Sequence, residues 1–208
     1  ISVSVGNPAL GTIQVTNNLA QARFVISGPV EQSGAGFEQP FPNLPPGRYF
    51  INFSDVPYYE TPRPQTNLLA ADRTLVFAGN YTFADRNDNG MADAWEQRFF
   101  GDVSPTRTRV SDTDRDGLND LSEFMSGTDP TDRTSRIRLT SITPLPGGTV
   151  RLTWRSVPGY GYRVLLSSNT QSWTPVADWV RATMTEMSQI IPGFSGRAPN
   201  FYRLEVRP

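Results

Sequence analysis

Two twelve-residue stretches, Asp-Arg-Asn-Asp-Asn-Gly-Met-Ala-Asp-Ala-Trp-Glu over residues 85–96 and Asp-Thr-Asp-Arg-Asp-Gly-Leu-Asn-Asp-Leu-Ser-Glu over residues 112–123, begin 27 residues apart. Each puts an oxygen-bearing side chain at its first, third and fifth positions: Asp85, Asn87 and Asn89 in one, Asp112, Asp114 and Asp116 in the other. Gly90 and Gly117 stand at the sixth position, Met91 and Leu118 at the seventh, Asp93 and Asp120 at the ninth, Glu96 and Glu123 at the twelfth. A chain written this way is neither strand nor helix across its first half. It has to curl around a point on which its oxygens converge, with the glycine supplying the sharp turn.

Electrostatics says what must sit at that point. Twelve of the twenty acids fall between residues 85 and 132, against five of the nineteen arginines, a net of −7, while the rest of the chain carries +6. The second loop gathers five carboxylates, and each close pair repels by about 1 to 4 kcal/mol depending on the effective dielectric. Without a cation such a loop is expected to be open. Calcium takes six to eight hard oxygens, which suits side chains from positions 1, 3 and 5, the carbonyls of Met91 and Leu118, the ninth-position acids (often through a water) and two oxygens from the closing Glu. Magnesium prefers a smaller octahedral shell and keeps its waters. The alternative to metal binding is a pair of solvated Asp-Asn-Gly turns. The expected ligands are therefore Asp85, Asn87, Asn89, Met91, Asp93 and Glu96, then Asp112, Asp114, Asp116, Leu118, Asp120 and Glu123, for two Ca2+ ions. Asp102, Asp129 and Asp132 either add ligands or hold turns.

Both loops match the EF-hand pattern at every ligand position, yet no helix is expected to enter them. Residues 74–77 are strand-like and residues 104–110 are proline-broken and β-branched. Each loop is expected to run out into one helix: Met91, Trp95 and Phe99 form an apolar stripe before Gly101, and Leu118, Leu121 and Met125 form another before Gly127. This loop-plus-one-helix arrangement, over residues 84–134, resembles dockerins and the calcium repeats of the thrombospondin type 3 class, and its Gly-Thr-Asp-Pro-Thr-Asp ending resembles secreted bacterial versions. The dockerin resemblance implies a cohesin partner, although positions 10 and 11 hold Ala94-Trp95 and Leu121-Ser122 rather than a Ser-Thr-like recognition pair.

The flanks read as short strands. Period-two alternation marks residues 1–5, 11–16, 22–26, 48–53 and 73–77, with prolines and glycines punctuating them. Asn43-Leu-Pro-Pro-Gly-Arg-Tyr49 resembles the Pro-Gly-x-Tyr turn of PEGA-type sandwiches, a resemblance that extends over residues 11–83 and implies a small extracellular or envelope β-sandwich without enzymatic role. Ile1, Val3 and Val5 fall on one face of a strand the module does not need. That strand either edges its own sheet or is donated to a second copy of the chain, the homopolymer expectation. Alternation returns at residues 136–142, 149–154, 162–166 and 201–206, and Trp154, Tyr162-Arg-Val164 and Trp173 resemble fibronectin-type-III-like terminal modules. Trp154 is expected in the core, and Trp173 and Trp179 either in the core or as a sugar-stacking platform. The fold expectation is thus mainly β: two small antiparallel sandwiches, residues 1–83 and 135–208, joined by the calcium-binding loop-helix segment 84–134.

Composition removes most catalysis. The chain has no His, no Cys and no Lys, which leaves no Ser-His-Asp triad, no thiolate nucleophile, no Schiff base and no ordinary zinc or haem site. A carboxylate-pair glycosidase is the enzyme class such an inventory favours, and no motif joins the eight acids outside the central segment. No catalytic residue is expected. A net charge of −1 with dispersed arginines argues against nucleic acid, and no apolar run approaches the roughly 20 residues a membrane helix needs. The start at Ile1 suggests a removed leader and hence export. Two functions remain: a calcium-stabilised extracellular structural protein that self-assembles into a filament, sheath or matrix, its metal setting the joint between sandwiches, or a carbohydrate-binding or adhesive accessory module in which Tyr58, Tyr59, Trp173 or Trp179 stacks on sugar.

Overall fold

The structure is a computed structural model that describes residues 9–192 and 201–208. The strand expected at Ile1, Val3 and Val5 lies outside those residues. The chain divides into two compact units, Ile1–Phe83 and Ala84–Pro208. The architecture is mainly β, built from several separate sheets with two short helices. Among the described residues no helix is long and apolar enough to cross a membrane.

The first unit stacks two sheets. One holds β1 (Gly11–Asn17), β4 (Glu38–Leu44) and β7 (Thr74–Gly79) in the order β4-β1-β7. The other holds β2 (Arg23–Ser27), β3 (Gln32–Ala35), β5 (Gly47–Phe53) and β6 (Gln65–Leu69) in the order β3-β2-β5-β6. Alternation does the sorting: Tyr49, Ile51 and Phe53 of β5 point inward while Arg48, Phe50 and Asn52 face out. They meet Ile13, Val15 and Phe77 from the other sheet in one core. One pairing departs from the antiparallel expectation, since β1 runs parallel to β7 from Thr12 opposite Thr74 to Asn17 opposite Gly79. Side-chain alternation fixes which face a strand buries but not the direction of its neighbour. The Pro-Pro-Gly turn is held by its own tyrosine, whose buried ring returns so that the hydroxyl donates to the Pro45 carbonyl at 2.9 Å.

The second unit opens with α1 (Asp93–Phe100) and α2 (Asp120–Ser126), then two further sheets. β8 (Leu139–Leu145), β9 (Thr149–Arg155) and β13 (Glu186–Pro192) form one, in the order β13-β9-β8. β10 (Gly161–Ser167) centres the other, pairing with β11 (Thr174–Pro175), β12 (Val180–Arg181) and β14 (Phe201–Arg207). Leu152, Trp154, Tyr162, Val164 and Ile191 make the core. β8 starts three residues later than residues 136–142 suggested, and Arg136 instead reaches the second twelve-residue loop, where its guanidinium donates to the Asp116 carbonyl at 3.2 Å.

Candidate metal centre

The two loops repeat each other in backbone as well as in sequence. Position 4 has positive φ in both, 54° at Asp88 and 61° at Arg115, as does the glycine at position 6, 86° at Gly90 and 95° at Gly117. Left-handed backbone at two alternate residues curls the chain tightly, and a side chain larger than hydrogen at the glycine is strained there. Each curl is closed by one backbone bond from the ninth residue to the residue before the first: Asp93 N–H to Ala84 O at 2.8 Å, and Asp120 N–H to Ser111 O at 2.7 Å. Among the described residues no helix leads directly into either loop, and each runs straight out into one, α1 ending at Gly101 (φ 79°) and α2 at Gly127 (φ 72°).

Within this frame the first-position acid seats the turn. Asp85 accepts from the Asn89 and Gly90 amides at 3.1 and 2.8 Å, and Asp112 accepts from Arg115 and Gly117 at 2.7 and 3.1 Å. Asn89 Oδ1 and Asp116 Oδ1 accept from the amide two residues on, at 2.9 and 2.8 Å. The ninth-position acids have a job the spacing alone did not suggest. Asp93 accepts from the Arg86 backbone amide at 3.0 Å and from its guanidinium at 2.7 Å, and Asp120 from the Thr113 amide and hydroxyl at 2.9 and 2.8 Å. Both thereby fasten the loop's second residue to the first turn of the exiting helix.

Among the described residues, the two loops leave four buried side-chain oxygens with nothing to accept from: Asp114 Oδ2, Asp116 Oδ2 and Glu123 Oε2 in the second loop, and Asn87 Oδ1 in the first. One carboxylate oxygen from each of Asp112, Asp114 and Asp116 lies within 4.8 Å of the others. Glu123 is fully buried, with only Oε1 engaged, by the Thr128 hydroxyl at 3.1 Å. An unpaired buried oxygen costs about 1 to 3 kcal/mol, more when charged. The carboxylate orphans of the second loop, two of them on the close group Asp112, Asp114 and Asp116, therefore fit a hard cation and fit solvated turns poorly. No arginine of the described residues forms an ion pair with Asp112, Asp114, Asp116 or Glu123. Asp129 and Asp132 behave differently: each accepts from the amide and hydroxyl of the threonine two residues on, at 2.7 to 2.9 Å, and so holds its own turn.

Protonation follows the same geometry. Burial pushes the Asp114 carboxyl up, opposed by the hydrogen bond from the Asp116 amide and by the Arg133 charge and reinforced by the charges of Asp116 and Asp112. Burial pushes Glu123 up to about 8, opposed by the Thr128 hydrogen bond and reinforced by the charges of Asp114, Asp116 and Asp120. A carboxyl raised in the folded state holds a proton that the unfolded chain has released, so metal-free stability falls as pH rises from the ordinary 4.5 towards 8. A metal bound there has to expel that proton. Calcium titrations at pH 7 in buffers of different ionisation enthalpy are expected to report release of approximately one proton, falling towards none at pH 9. Equal heats in all buffers at pH 7 would contradict this.

The two exiting helices pack on each other. Trp95, buried, meets Phe99, Phe100 and Phe124 at ring-centroid distances of 5.0, 5.7 and 5.5 Å. On α1 the stripe sits as expected at Met91 and Trp95, with Phe99 half-buried. On α2 it does not: Phe124 is the buried aromatic, while Leu118 and Leu121 are half-buried and Met125 is exposed. The reason is that Asp120 and Glu123 must face the loop, which rotates Phe124 inward and turns Leu118, Ser122 and Met125 towards a cavity of about 410 Å3 lined also by Ile137, Leu139 and Tyr202.

The aromatic residues weighed for sugar stacking are also placed. Trp154 is in the core. Trp173 and Trp179 are half-buried with guanidinium groups over their rings, Arg203 at 4.7 Å from the Trp173 centroid, Arg163 and Arg207 at 4.7 and 4.2 Å from that of Trp179. Tyr59 packs edge-on against Phe83, and Tyr58 carries a φ of 72°.

Compared with known proteins, the sequence matches no family model and no curated protein. Among solved structures it is similar to a candidate carbohydrate-binding protein of Bacteroides uniformis, at 9% identity and a TM-score of 0.27, covering 95% of this chain and 89% of that one. It is likewise similar to a DUF3823 family protein of Bacteroides ovatus, at 7% identity and a TM-score of 0.29, covering 95% and 90%. Both superpositions are too loose to bear on function.

Proposed function

We propose that the chain is a calcium-stabilised structural module of the cell exterior, with two Ca2+ ions setting residues 84–134 into a fixed shape. Asp85, Asn87, Asn89, the Met91 carbonyl and Glu96 would hold one ion. Asp112, Asp114, Asp116, the Leu118 carbonyl and Glu123 would hold the other, with Asp93 and Asp120 bracing the loops from the ninth position. Calcium supplies the positive charge that the converging oxygens lack. The observation that carries the reading is the group of unpaired buried oxygens on Asp114, Asp116 and Glu123. A sensor role is disfavoured, since opening a groove requires a helix on each side of the loop. Titrating EGTA-treated protein with calcium in a calorimeter is expected to give saturable heat with a stoichiometry of two. Absence of heat would remove the proposal.

Self-association into a filament, sheath or matrix extends this reading. It draws on edge strands such as β6, where Leu68 is 67% exposed. Light scattering at millimolar calcium and in EGTA tests it: a monomer in both conditions removes assembly while leaving the metal sites untouched. The second reading, a carbohydrate-binding or adhesive accessory module, is favoured by one observation. Tyr58, half-buried in a turn, holds a left-handed backbone that is costly for an aromatic residue and of a kind that clusters at functional sites. A glycan array run with the parent protein and Tyr58→Ala distinguishes it.

A further inference from the structure

The two loops agree in backbone and differ in what already neutralises them. In the second, the closing Glu123 meets only a hydroxyl, and three carboxylate oxygens are unpaired. In the first, the closing Glu96, equally buried, meets a cation. Arg107 donates from one terminal nitrogen to Glu96 Oε1 at 2.8 Å, reaches Asp102 Oδ1 with the other at 3.3 Å, and lays its guanidinium over the Phe100 ring at 3.8 Å from the centroid. Its side chain is 13% exposed, so this pair is largely out of water, where such a bond is strongest. The segment carrying Arg107 is itself clamped onto the loop. Asn87 Nδ2 donates to the Ser104 carbonyl at 2.9 Å and to both Glu96 oxygens at 3.2 Å, and Asn89 Nδ2 donates to the Arg107 carbonyl at 3.4 Å. This accounts for asparagine at positions 3 and 5 of the first loop, where the second has aspartate: the amide nitrogen ties down the following segment, which a carboxylate cannot do. Arg107 also reaches towards the second loop, its Nε lying 4.0 Å from Asp120 Oδ2.

We infer that Arg107 is a built-in cation of the first loop, which holds that loop closed without metal and makes the two calcium sites unequal. The inference rests on the calcium reading above for its affinities, but not for the closed state of the metal-free loop. Filling the first site means sharing Glu96 with the guanidinium or displacing it, whereas at the second the nearby Arg133 and Arg136 donate to the Arg115 and Asp116 carbonyls at 3.1 and 3.2 Å, and among the described residues none pairs with Asp112, Asp114, Asp116 or Glu123. The second loop is therefore the tight site and fills first. The first fills later, from a shape already formed.

Three variants test this by calcium titration and by amide hydrogen exchange in EGTA. The parent protein is expected to bind in two steps at least about tenfold apart, the worth of one charge-assisted hydrogen bond. Glu123→Gln should remove the tighter step. Arg107→Met keeps a stem over Phe100 and removes the charge; it should tighten the weaker step by about tenfold or more, closing the gap. Arg107→Lys, which keeps the charge, should leave the two steps separated. In EGTA the Asn89 and Gly90 amides should be protected in the parent and exposed in Arg107→Met, while those of Arg115 and Gly117 exchange readily in both. A weaker step unchanged or loosened in Arg107→Met overturns the inference. Should Arg107→Met not fold, the parent's two steps and its exchange pattern decide: one indistinguishable step, or equal exchange in both loops, overturns it. If the parent binds no calcium, the metal reading fails by itself, and protection confined to the first loop still upholds the built-in cation.

Discussion

Metal-free protein carrying Glu123→Gln is expected to melt several degrees above metal-free parent at pH 8, and then to lose the calcium response that its second loop gives the parent. Glu123 is fully buried with Oε2 unpaired, and the charges of Asp114, Asp116 and Asp120 stand around it. Removing its charge relieves a penalty of about 1 to 3 kcal/mol in the absence of metal. With metal the sign reverses. A site with a dissociation constant near 10 μM in about 1 mM calcium stabilises by about 2.7 kcal/mol. For a unit the size of Ala84–Pro208 that corresponds to about 10 °C. Scanning calorimetry of both proteins in EGTA and in calcium shows whether the two melting curves cross. If the parent melts at the same temperature in both conditions, the second loop is no metal site. If Glu123→Gln melts below the parent in EGTA, the glutamate is held by something other than a cation.

The loops were legible because their information is local. Ligand spacing, the glycine at position 6 and the helix stop all lie within a dozen or so residues, and the backbone repeats as the spacing does. The strands with strict alternation, such as β5 and β9, were legible for the same reason. β4 was not, since Glu-Gln-Pro-Phe-Pro-Asn-Leu carries two prolines; as the edge strand beside β1 it can spare those amides. β3 and β6 are polar enough to read as loop, and β13 breaks its apolar alternation by setting exposed Ile190 beside buried Ile191. Arg107 was hidden because its partner Glu96 lies eleven residues back across a proline-broken turn, at no periodic spacing. The asparagines at positions 3 and 5 were the available signal: where a carboxylate would bind calcium as well, an amide implies something to donate to.

Trp95→Ala is expected to cost about 3 to 5 kcal/mol, the range for emptying a buried aromatic site, and to lower the melting temperature by about 10 to 20 °C. The reasoning goes beyond the cavity. Trp95 precedes Glu96 on α1 and packs on Phe124, which follows Glu123 on α2, so this single ring stack spaces the two closing glutamates. Its loss lets α1 and α2 shift against each other, and a calcium site tolerates little displacement of the residue that closes it. Both calcium affinities should therefore fall, whereas Trp154→Ala, which empties the sheet core at comparable cost, should leave them near the parent's below its own melting temperature. Calorimetric titration of the two variants at 10 °C separates the outcomes. If Trp95→Ala binds both ions as the parent does, the helices are spaced by their loops alone, and the aromatic stack is only core.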